Sequence, residues 1–113
     1  MSFFETRELH SKLELRTNWF QCTYQEAKKA IMSTAEDLGY EVVDVNDTFH
    51  EILLEGEHVI IVKITSYGRY EQGIDFSIST KWIFDFGRSK ALVGKLNNNI
   101  AKYVKFKGVS LHP

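Results

Sequence analysis

The sequence predicts an α+β fold: one antiparallel sheet with both helices on one face, in the order β-α-β-β-β-β-α. Three observations predict it. A capping box at Thr23–Glu26 opens a stretch of helical periodicity. From about residue 40 to residue 86 apolar residues alternate with polar ones, and turn residues divide the pattern. After that the period returns to 3.6 residues. Two helices bracketing a meander of strands pack together on one side of the sheet, which leaves its other side open.

The first strand is expected over Leu9–Phe20. Leu13, Leu15 and Trp19 share one parity there, and Lys12, Glu14, Arg16 and Asn18 the other. Residues 1–8 are expected to be an N-terminal arm, flexible or folded over the sheet. In the first helix Thr23 can accept from the Glu26 N–H while Glu26 reaches back. Ala27, Ala30, Ile31, Thr34, Ala35 and Leu38 form its apolar stripe, and Gly39 ends it. Strands follow over Tyr40–Val45, Phe49–Glu55 and Val59–Tyr67, with turns at Asn46-Asp47 and Gly56-Glu57-His58. A loop from Ser66 to Gly73 leads to a long strand from Ile74, bending near Thr80-Lys81. The second helix is expected from about Ser89, as N-cap, to Lys105. Leu92, Val93, Leu96, Ile100, Tyr103 and Val104 fall on one arc of it.

This order resembles the TATA-binding-protein-like and helix-grip group of folds. The likeness is one of topology and covers most of the chain. It implies the layer arrangement and transfers no activity, because that group hosts DNA binding, lipid binding and other roles.

The 113 residues are the size of one ordinary domain, spanning 1–113, with no internal repeat or linker. Hydrophobic residues make up 43% and charged residues 26%, a globular rather than disordered composition. Cys22 is the only cysteine, so no internal disulfide forms, and a cytoplasmic location is expected. The N-terminus lacks the basic and apolar regions of a signal peptide, and no apolar run reaches the ~20 residues of a membrane span.

Chemical motifs fail on inspection. Asp85-Phe86-Gly87 spells a kinase metal motif without the companion motifs. Gly94-Lys95 lacks the rest of a phosphate loop. His10, His50, His58 and His112 show no ligand spacing and read as surface residues. Cys22 precedes a helix N-terminus without a partner histidine and reads as structural. Asp75, Asp85 and Glu71 are unpaired in sequence. No catalytic residue, metal ligand or cofactor is assigned, and the protein is expected not to be an enzyme.

Two features carry functional expectations. Residues 1–85 hold 8 basic and 15 acidic side chains; residues 86–113 hold six basic ones and no acid. Arg88, Lys90, Lys95, Lys102 and Lys105 lie opposite the apolar stripe of the second helix, a basic face suited to nucleic acid or simply to solvent. Nucleic acid is the less favoured partner, because aromatic or Arg-rich interleaving is missing. The second feature is the open sheet face. If Ile52, Leu54, Ile60, Val62 and Ile64 face the helices, then Phe49, Leu53, Val59 and Ile61 face away. That set is the expected interface of a non-catalytic assembly module, pairing with a second copy or with a protein partner. The alternative is a helix-grip carrier of a small apolar ligand, with Trp82, Phe84 and Phe86 lining the cavity.

Overall fold

The computed structural model describes residues 2–80 and 87–113. The expected α+β architecture is present: two helices lie on one side of an antiparallel sheet that has seven strands among the described residues. In chain order they are β1 (Ser2–Glu5), β2 (Asn18–Gln21), α1 (Tyr24–Asp37), β3 (Glu41–Asn46), β4 (Glu51–Glu55), β5 (Val59–Ser66), β6 (Glu71–Thr80), α2 (Arg88–Ile100) and β7 (Lys105–Val109). The spatial order is β3-β4-β5-β6-β2-β7. Strand β6 is the spine: β5 runs along one edge, while β2 and β1 share the other.

The capping box forms as the sequence dictates. The Glu26 N–H donates to Thr23 Oγ1 at 3.2 Å, and the Thr23 N–H donates to Glu26 Oε1 at 2.9 Å. Gly39 follows α1 with φ +79°, a left-handed conformation that costs glycine little. Ala27, Ala30, Ile31 and Ala35 are buried against the sheet, and Val93, Leu96 and Ile100 join them from α2. Their partners are Ile52, Leu54, Ile60, Val62, Ile64, Ile74, Phe76 and Ile78, every second residue of β4, β5 and β6. One core therefore serves both helices, on the face the alternation predicts.

Several boundaries differ from expectation. Leu9–Phe20 is not a continuous strand. Leu9 and Leu13 are exposed, Leu13–Leu15 is a single 3-10 turn, and only Asn18–Gln21 joins the sheet. Leu15 still reaches the core, but through the turn. Trp19 and Phe20 point to opposite faces, so the parity that grouped Trp19 with Leu15 does not hold. The N-terminal arm is neither loose nor folded over the sheet: β1 pairs with β6 from Ser2↔Thr80 to Glu5↔Ser77, with Phe4 toward the core. The second helix stops at Ile100 instead of Lys105, after the poor helix formers Asn97, Asn98 and Asn99. Its N-cap is Gly87, and Ser89 is buried inside the first turn. Lys105-Phe106-Lys107 then alternates as an edge strand, with the Phe106 ring 5.9 Å from Phe20. Strand β6 also begins three residues earlier than expected, at Glu71.

Candidate functional site

The open face is laid out by strand register. Residues opposite one another form rows across the sheet. One row runs Glu41, Glu55, Val59, Ser79, Phe3. The next runs Asp44, Leu53, Ile61, Ser77, Glu5. A third holds Asn46, Glu51, Lys63 and Asp75, and a fourth holds Thr65, Gly73, Trp19 and Gly108. The two ends of this face differ in kind.

At the Trp19 end the chain covers itself. Trp19 is 2% exposed although it lies outside the main core. Its Nε1–H donates to Glu8 Oε1 at 2.7 Å, and the His112 N–H donates to Glu8 Oε2 at 2.6 Å. Ser110 Oγ donates to the Glu8 carbonyl at 2.5 Å. The His112 ring stacks on Tyr67 at 3.5 Å and meets Trp19 edge-on at 4.6 Å. Beside them the buried Glu71 carboxylate is bonded by Lys107 Nζ on one oxygen and by His112 Nε2 on the other. Lys107, then His112, holds that carboxyl below the usual carboxylate range, against the opposing effect of burial. Residues 41 and 104 positions apart meet here, and no spacing in the sequence signals it.

Between the two ends sits Asp75. Thr6 and Thr17 both donate to its Oδ1, and burial, with the nearby charges of Glu8 and Glu5, raises the carboxyl above its ordinary value.

The other end is bare. Ile61 is 42% exposed, Val59 39%, and Leu53 partly exposed; Phe3 is 63% exposed and extends their row onto β1. Two expectations change in detail. Phe49 is exposed but stands in the turn before β4, where its N–H donates to Asn46 Oδ1, so it lies off the ladder. Phe3, expected as part of a cover, is part of the face. A β-bulge between Val42 and Asp44 leaves Val43 exposed on the edge strand.

The five expected basic residues do not share one helix face. Lys90 pairs with Glu14 of the 3-10 turn. Arg88 and Lys95 line a cleft of about 260 Å³ with Tyr40, Glu57, His58, Ala91 and Leu92. Lys102 falls in the turn after α2, and Lys105 on β7 opposite Gln21. His58 is buried, contrary to its reading as a surface residue, with the Tyr40 hydroxyl 3.3 Å from Nδ1. Cys22 is buried, and burial pushes its thiol up to about 11. Trp82, Phe84 and Phe86, the expected cavity lining, and Asp85 lie outside the described residues. Among the described residues no helix is long and apolar enough to cross a membrane.

The sequence matches no protein-family model and, at a significant level, no curated protein.

Proposed function

We propose that this protein is a non-catalytic interaction module that docks a second protein segment on the bare half of its open sheet face. One observation carries the reading. The same face is sealed at Trp19 by Glu8 and His112, yet Leu53, Val59, Ile61 and Phe3 stay uncovered one and two rows beyond Asp75. Contiguous apolar side chains on a small domain are commonly a binding surface. Among the described residues Glu71 is bonded to Lys107 and His112, Asp75 to two threonines, and Cys22 is buried in the core.

The test is accessibility of the methyl groups. NMR with a soluble spin probe should broaden the Leu53, Val59 and Ile61 methyls of the monomer and spare those of Ile60 and Val62. Sedimentation over micromolar concentrations runs alongside. A dimer lost on Ile61→Asp makes the docked segment a second copy, as the sequence suggested. A monomer with shielded Leu53 and Ile61 methyls means that the chain covers this face itself, and the reading is wrong.

A further inference from the structure

The charges around the bare patch say what should sit on it. Across the first two rows the exposed ionisable side chains are Glu41 and Glu55, then Asp44 and Glu5. Neither row contains a basic side chain. Among the described residues, the bases beside these rows are Lys63, one row further on between Glu51 and Asp75, Arg7, which is 3.8 Å from Glu5, and Lys12, which lines a cavity of about 350 Å³ with Phe3, Glu5 and Arg7. Three of the four acids, Glu41, Asp44 and Glu55, lie on β3 and β4, and Glu5 lies at the far side on β1. The centre, Leu53, Val59 and Ile61 with Ser77 and Ser79, is apolar or small and neutral.

We infer that the occupant is a basic amphipathic helix, apolar along one face and carrying lysine or arginine at the end that lies over β3 and β4. This rests on the docking reading above and names its partner class. The argument is one of complementarity. A second copy applied face to face, with β3 and β4 over the same strands of its partner, would set Glu41, Asp44 and Glu55 of each against those of the other. Like charges so juxtaposed disfavour a complex, whereas opposite charges steer and orient one. Size agrees with a helix. Five strands at ~4.8 Å spacing place Glu41 and Phe3 about 19 Å apart, the length of roughly 13 helical residues. Two rows on one face are about 7 Å apart, within the width of a single helix. Lying across the strands, such a helix sets its apolar stripe on Val59, Ile61 and Leu53 while its basic end meets the β3–β4 acids. The edge strand β3 is a poorer seat for an added strand, because the bulge at Val43 breaks its ladder.

The experiment uses two synthetic helical peptides with the same leucine stripe, one with lysine at one end and one with glutamate there. Each is titrated into isotopically labelled protein and followed by NMR. The lysine peptide should bind at least 10-fold more tightly at 50 mM salt, and the difference should shrink at 500 mM. Its shifts should map to Leu53, Val59, Ile61 and Ser77. Leu53→Ser with Ile61→Ser should abolish binding, and Asp44→Lys with Glu55→Lys should remove the preference between peptides. Equal binding of both peptides, no binding, or shifts confined to the acidic end of α1 at Glu36 and Asp37 would overturn the inference. If Leu53 and Ile61 are open to the spin probe but neither peptide is preferred, only the partner class is wrong. If they are shielded in the monomer, the docking reading falls as well.

Discussion

Thr6 donates a hydrogen bond to Asp75 Oδ1 at 2.6 Å across 69 positions of chain, and Thr17 donates to the same oxygen at 2.7 Å. Thr6 follows β1 and Thr17 precedes β2, so one carboxylate ties the end of one short strand to the start of the next. Thr6 Oγ1 also accepts from the Phe76 N–H at 3.0 Å, which continues the link into the β6 backbone.

Asp75→Asn should therefore keep the junction, because its single carbonyl oxygen can accept from both threonines. Asp75→Ala leaves two hydroxyls without this acceptor and should cost roughly 1–3 kcal/mol. The pH dependence has a definite sign. Burial, with Glu8 and Glu5, places the folded carboxyl above its ordinary 3.8, so the folded state holds the proton more tightly than the unfolded chain does. Stability is then lost as pH rises from about 3.8 through the folded value. Urea melts at pH 3.5 and pH 7 should show Asp75→Asn gaining on the wild type at the higher pH. A loss at pH 7 as large as that of the alanine variant would contradict this.

Glu71 behaves in the opposite sense. Lys107 and His112 hold its folded value below the ordinary 4.5. Its contribution is fully present above about pH 4.5 and disappears as pH falls through the folded value. Glu71→Gln should be less stable than wild type at pH 6, and the two melting curves should converge toward pH 3. A gap that stays constant over that range would show that the carboxylate's charge contributes nothing.

Gly73 lies directly opposite Trp19 in the ladder, and a Cβ there would stand 2.9 Å from Cη2 and Cζ2 of the indole. Trp19 is enclosed by Glu8 and His112 and has little room to retreat. Gly73→Ala should cost about 1–3 kcal/mol by overpacking. Gly108→Ala also approaches a side chain closely, at 2.9 Å, but there the neighbour is Leu111, which is 40% exposed and free to swing. Thermal melts of the two variants should rank Gly73→Ala as the more damaging; the reverse order would mean that the indole moves more easily than the tail.

Local chemistry wrote the legible parts of this fold into the sequence. Thr23 and Glu26 announce α1, and the alternation from Ile52 to Ile78 names the core face of β4, β5 and β6 residue by residue. Leu53, Val59 and Ile61 were readable for the same reason. What escaped depends on distant partners. Ser2–Glu5 is a strand only because β6 offers an edge, and four residues carry too little pattern to declare it. Residues 101–105 looked like the tail of a helix because Tyr103 and Val104 extend the apolar arc, while the three asparagines before them argued more quietly for a stop. Phe49 shared the parity of its neighbours but sits beyond the end of its strand. The Trp19 cluster draws on Glu8, Tyr67, Glu71, Lys107 and His112, and nothing in one dimension joins those positions.

The shared edge of β6 has a consequence for the order of folding. Residues 41–80 form successive hairpins, each pairing with the segment just made. Residues 2–21 cannot do so: β1 waits for residues 77–80, and β2 lies between β6 and β7, whose partners for it end at Val109. A segment synthesised before the meander is therefore among the last to find its place. Closing such long loops is slow compared with hairpin formation. Until residues 105–112 have emerged, Trp19 remains in water, and the meander must hold together without the strands that later flank it.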